Sequence, residues 1–102
     1  MRVIWSPMAL ERVEAIARTI AADRPVAAER WVRRVFARVA PLRRYPESGR
    51  MVPELTRPEF RQLPFPPYRI IYRFEPRRVL ILTIRHGREA FDRLCTQKDD
   101  CT

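Results

Sequence analysis

The period of the hydrophobic pattern changes once along this chain, and the change limits what it can fold into. Between Pro7 and Leu42 apolar residues recur at helical spacing. One stripe is Ala9, Val13, Ile16, Ala17 and Ile20. A second is Ala28, Trp31, Val32, Val35, Phe36, Val39 and Leu42. Beyond residue 58 the period is two, with β-branched and aromatic residues enriched. Two amphipathic helices and a sheet with an apolar face bury both surfaces by packing together. A length of 102 residues allows one such domain.

Prolines and capping residues set the boundaries. Residues Arg2 to Trp5 read as a short first strand. Ser6-Pro7 starts a helix, with Ser as N-cap and Pro in the first turn. That helix stops near Asp23-Arg24-Pro25, where a second begins. Its wet face carries Arg30, Arg33, Arg34 and Arg38, and its aromatic pair Trp31 and Phe36 belongs to the core. From Tyr45 to Pro58 the pattern is broken by Pro46, Gly49, Pro53 and Pro58. Irregular segments of this length in small domains are often functional. Strands are expected at 59–64, 68–74 and 79–85, with turns at Pro66-Pro67 and at 75–78. The predicted fold is α+β, in the order β-α-α-β-β-β. A helical hairpin covers one face of a small, mainly antiparallel sheet. Residues 1–94 are expected to form the single domain. Residues 95–102 are expected to be a mobile tail carrying Cys95 and Cys101 as free thiols.

Alternation assigns the faces. Tyr68, Ile70, Tyr72 and Phe74, with Leu80, Leu82 and Ile84, are expected to meet the helices. Arg69, Ile71 and Arg73, with Val79, Ile81, Thr83 and Arg85, are expected on the other side. Arg69, Arg73 and Arg85 would then stand as fixed cations on an open sheet face, which suits a binding surface.

The charge fits an anionic partner. There are 21 Lys and Arg against 12 Asp and Glu, a net +9, and 20 of the 21 are Arg. Guanidinium groups favour bidentate recognition of carboxylate or phosphate. Polyanion affinity follows from the charge alone. No stacking aromatic is expected to stand exposed among the arginines at the spacing of single-strand binders, and no recognition-helix arrangement is expected. One His and two Cys do not make a zinc site, and no metal or cofactor is expected. Nothing reads as a membrane span or a secretory leader, so a cytoplasmic protein with no membrane partner is expected.

Several ordered pieces carry a resemblance. They are Val3-Ile4-Trp5-Ser6-Pro7 with Ala9, then Ile20-Ala21-Ala22-Asp23-Arg24-Pro25 with Ala27-Ala28. Next come Leu42, Tyr45-Pro46, Gly49-Arg50 and Val52-Pro53-Glu54-Leu55. The last are Arg61-Gln62-Leu63, Tyr68-Arg69-Ile70-Ile71-Tyr72-Arg73 and His86-Gly87-Arg88. In this order, over residues 2–90, the chain resembles the RelE/ParE superfamily of bacterial type II toxins, the plasmid stabilisation family. The resemblance implies a toxin neutralised by a cognate acidic antitoxin, with higher-order complexes allowed. RelE-like members cleave mRNA on the ribosome, which needs a proton acceptor, a proton donor and cations for the developing charge. Glu59, Arg61 and His86 are the candidates for such a centre, with Glu54 as another base. No Lys precedes Lys98, however, and the stretch ending His86-Gly87-Arg88 is more similar to ParE toxins. Those lack the ribonuclease set and poison DNA gyrase. The residues put forward for target or antitoxin contact are Arg61, Arg69, Arg73, Arg85 and Arg88. A non-toxic antitoxin-binding module is the third class of reading.

Overall fold

The computed structural model describes residues 1–87. Arg88, the expected domain end at residue 94 and the tail with Cys95 and Cys101 lie outside the described residues. The elements are β1 (Arg2–Trp5), α1 (Pro7–Ala21), α2 (Pro25–Val39), a 3₁₀ turn (Ala40–Arg43), β2 (Arg50–Met51), β3 (Phe60–Phe65), β4 (Tyr68–Phe74) and β5 (Arg78–His86). The five strands form one sheet in the order β1-β5-β4-β3-β2. β1 runs parallel to β5, and the other pairs are antiparallel. The α+β class and the hairpin-on-sheet arrangement agree with the sequence. The irregular segment, however, contributes the two-residue strand β2, whose Arg50 and Met51 pair with Gln62 and Arg61. Among the described residues no helix is long and apolar enough to cross a membrane.

Local chemistry explains the helix starts. The Ser6 hydroxyl oxygen accepts from the Ala9 N–H at 3.1 Å, and Pro7 occupies the first turn. Pro25 likewise stands in the first turn of α2, whose N-cap, Arg24, makes no side-chain cap hydrogen bond. The hairpin buries Ala9, Val13, Trp31, Val35 and Val39 against Leu63, Phe65, Ile70, Tyr72, Val79, Ile81 and Ile84. Trp31 sits edge-on to Tyr68, with centroids 5.8 Å apart. Two expectations for α2 need correction. Leu42 is buried, but in the 3₁₀ turn rather than in α2. Phe36 is 40% exposed. It lies about 100° around the helix from Val35, so it misses the centre of the sheet and covers Trp5 at the margin, 4.6 Å between centroids.

The expected alternation of β5 fails at one point. Ile71 pairs with Thr83 but Tyr72 pairs with Ile81, so Leu82 is an extra residue, a bulge. One extra residue reverses the parity of everything before it. Val79 and Ile81 therefore face the helices, and Leu80 and Leu82 face away. Ile84 keeps its expected side, because it lies past the bulge. The far face is consequently not open. Leu80, Leu82 and Ile71 pack there with Val52 and Phe60, and Leu55 and Ile4 lie against them. The start of α1 is tied to the bulge region. Ser6 N–H donates to Ile81 O (3.0 Å), the Ser6 hydroxyl to Leu82 O (2.9 Å) and Arg12 Nε to Ile84 O (2.9 Å).

Tyr72 anchors the irregular segment. Its buried hydroxyl donates to Pro46 O at 2.8 Å and accepts from Gly49 N–H at 2.9 Å. The backbone comes so close that a Cβ on Gly49 would lie 2.7 Å from the Tyr72 hydroxyl and 2.8 Å from Gln62 O. Burial pushes the Tyr72 phenol above its ordinary value, although the Gly49 N–H and Arg61 act in the opposite direction. Two outcomes follow, measurable by urea unfolding. Gly49→Ala destabilises by about 1–3 kcal/mol through overpacking. Tyr72→Phe costs about 1–3 kcal/mol at neutral pH, because the Gly49 N–H loses its acceptor. The wild type keeps its phenol neutral when folded. Its stability therefore drops as pH rises past the unfolded value of 10.0, and Tyr72→Phe is spared that drop.

Candidate binding site

The strands place the arginines singled out by sequence in four different settings. Arg69 is 8% exposed. Its Nη1 donates to Glu54 Oε1 at 3.0 Å and to Gln62 Oε1 at 2.8 Å, and its Nη2 holds Glu54 Oε2. It is a clamp that fastens the segment after β2 onto the sheet, not an exposed cation as alternation suggested. Arg73 is engaged by Glu75, 2.6 Å from Nη2 to Oε2. Glu75 also receives Arg78. Partial burial would raise the Glu75 carboxyl, but the bonds from Arg78 and Arg73 outweigh it and hold the group below its ordinary range. Arg61 faces the helix side beside Tyr72. It donates from Nε to Pro58 O at 2.9 Å and from Nη1 to Gly49 O at 3.2 Å. Arg85 is half-buried directly across from Arg69.

At that end of the sheet Arg50, Gln62, Pro64, Tyr68, Arg69 and Gly87 line a small pocket of about 230 Å³. Gly87 N–H is fixed to Pro67 O at 2.7 Å, across the cis Pro66-Pro67 bond of the β3–β4 turn. Arg50 is exposed at this pocket, and two of its lining residues, Arg69 and Tyr68, pair with Arg85 and His86 of β5. His86 meets Tyr68 edge-on with centroids 6.1 Å apart.

The acid–base candidates are not brought together. Glu59 O accepts from Phe74 N–H at one end of β4. His86 pairs with Tyr68 at the other end. Six residues of strand separate these positions, about 20 Å at ~3.3 Å per residue. Glu59 is held by Arg57 at 3.2 Å. Glu54 is occupied by Arg69.

A second basic surface was not legible as a site from sequence. At the end of α2 a depression of about 820 Å³ is lined by Met1, Ala37, Ala40, Pro41, Arg43, Arg44 and Tyr45. Tyr45 is 60% exposed. The signal was the run Arg43-Arg44-Tyr45-Pro46, two adjacent cations and an aromatic where the helical stripe ends. A third feature is the groove between α1 and α2, about 400 Å³, with Ala17, Ala21, Ala28 and Val32 along it. Ion pairs Glu14–Arg18 and Glu29–Arg33 stand on its two ridges.

Two helices on a mixed five-stranded sheet define an α+β fold. The structure superposes on a solved chain described as the chromosomal ParDE toxin–antitoxin system from P. aeruginosa, with a TM-score of 0.72 and 24% identity, covering 84% of this chain and 95% of that one. The sequence model for the ParE toxin of type II toxin-antitoxin systems, parDE, matches residues 3–91. The chain therefore belongs to the ParE toxin family of type II toxin–antitoxin systems. No curated protein sequence matches it.

The Arg69 clamp makes a checkable claim. Glu54→Gln leaves the buried guanidinium without its carboxylate. It should cost about 2–3 kcal/mol in urea unfolding, less than for a fully buried pair, because the Glu54 side chain is 27% exposed. A loss near zero would mean that the Glu54 carboxylate is not what holds Arg69.

Proposed function

We propose that this ParE-family toxin inhibits DNA gyrase by binding to it, without acid–base chemistry of its own, and that an acidic antitoxin neutralises it. The observation that carries this reading is the separation of Glu59 from His86 by the length of β4. A ribonuclease centre needs its acid and base on one scissile phosphate; here Glu59 stands at the opposite end of β4 from His86, and Glu54, nearer the His86 end, is taken up by the Arg69 guanidinium. The surface offered to the target is the basic end of the sheet, where Arg50 lines the small pocket and Arg85 lies across from its Arg69. Arg69 supports that surface from beneath. Arg73 and Arg61 serve the fold. For the antitoxin the α1–α2 groove suits an amphipathic helix laid along its small apolar residues. The net charge of +9 speeds the encounter with an acidic chain.

Expression of variants in cells separates this from mRNA cleavage. His86→Gln should remain toxic, with transcripts intact and the SOS response induced. Arg85→Glu, and Arg50→Glu at an exposed position, should lose growth inhibition and gyrase inhibition in a supercoiling assay. In an endonuclease, loss of the only imidazole would cost on the order of 10²–10⁴ in rate. Cut transcripts together with a harmless His86→Gln would overturn the gyrase reading.

A further inference from the structure

We infer that the depression at the end of α2 is a binding site for single-stranded nucleic acid, with Tyr45 as the stacking platform and Arg43 and Arg44 as phosphate contacts. Three observations point there. First, two adjacent cations at the depression are uncompensated. The side chains of Arg43 and Arg44, like those of several other arginines, have no carboxylate partner among the described residues, and no carboxylate lines the depression. Glu47, two residues beyond Tyr45, is not part of the lining. Second, the aromatic ring is exposed on a fixed backbone. Tyr45 N–H donates to Pro41 O at 2.8 Å, and Tyr45 O accepts from Ser48 N–H at 3.1 Å. The next carbonyl, Pro46 O, is held by the core hydroxyl of Tyr72 at 2.8 Å. A ring 60% in water on so rigid a mount is preorganised for a flat partner. Third, the floor of Ala37, Ala40 and Pro41 is small and apolar, leaving room beside the ring.

The end of a helix favours cations for its own carbonyls, which accounts for Arg43 and Arg44 but not for Tyr45. A ring flanked by guanidiniums fits an unpaired base with its phosphates. An acidic peptide would use the cations and leave the ring's face unused. The site lies apart from the basic sheet end and is independent of the gyrase reading.

The test is fluorescence anisotropy with a labelled oligothymidylate and the full 102-residue chain. Tyr45→Ala should weaken binding about 5- to 150-fold, the range of one lost base stack, and Tyr45→Phe should retain it. Arg43→Gln with Arg44→Gln should lower the slope of log K against log salt by about 1.4, two phosphate contacts' worth. Arg30→Gln, an exposed change on α2, should leave affinity within about twofold, being outside the site. Circular dichroism should be unchanged in all four. The proposal falls if Tyr45→Ala binds like wild type, or if Arg30→Gln weakens binding as much as the Arg43/Arg44 pair, since either is plain polyanion attraction. It also falls if polyglutamate binds more tightly with the same dependence on Tyr45, which would make this a surface for acidic peptide. A supercoiling assay on the same variants shows separately whether the gyrase reading stands.

Discussion

The single extra residue in β5 holds this molecule together. Without the bulge at Leu82, a strand of strict alternation would send Val79, Ile81 and Thr83 to one side and Leu80, Leu82 and Ile84 to the other. The bulge lets β5 supply Val79, Ile81 and Ile84 to the helices and Leu80 and Leu82 to a second core. A bulge disturbs the ladder locally. Here the carbonyls of Ile81, Leu82 and Ile84 are taken up by Ser6 and Arg12. The residue that caps α1 is thus also the residue that satisfies the bulge. Helix start and strand irregularity are one structural unit.

The second unit is the segment from Tyr45 to Glu59, which has almost no regular structure. It is held by polar side chains that reach out of the sheet. Tyr72 takes the Pro46 and Gly49 backbone, Arg61 takes the Gly49 and Pro58 carbonyls, and Arg69 takes Glu54. Val52 and Leu55 can cover Leu80 and Leu82 only because of these ties. Much of the arginine content therefore does structural service. A guanidinium suits it because its fork can hold a carboxylate and a neighbouring amide at once, as Arg69 does.

The element order apart from β2, both helix starts and the helix-facing side of β4 were legible in the sequence. They rest on local rules: a Ser-Pro cap for α1, a first-turn proline for α2, a 3.6-residue stripe, and alternation at Tyr68, Ile70, Tyr72 and Phe74. The sheet's far face was not legible. Its burial depends on the Leu82 bulge and on a long-range clasp between Glu54 and Arg69, and neither leaves a periodic trace. The same limit applied to the candidate site. Alternation places a side chain on a face, but it does not say whether a carboxylate 15 residues earlier in the chain will return to meet it. The Tyr45 surface was overlooked for a related reason. Its exposure is set by the turn that ties its backbone to Pro41 and Ser48 and the next carbonyl, Pro46 O, to Tyr72.

The placement of β1 also bears on when the protein comes into being. Residues Arg2 to Trp5 pair in parallel with Arg78 to Ile81, so the strand made first waits for the strand made last. Closing so long a loop is entropically slow compared with forming the helical hairpin. On the ribosome the hairpin can form early. The strand that joins β1 to the rest of the sheet does not exist until nearly all of the described chain has been synthesised. The basic end of the sheet, where Arg85 lies across from Arg69, is therefore completed only when β5 docks between β1 and β4.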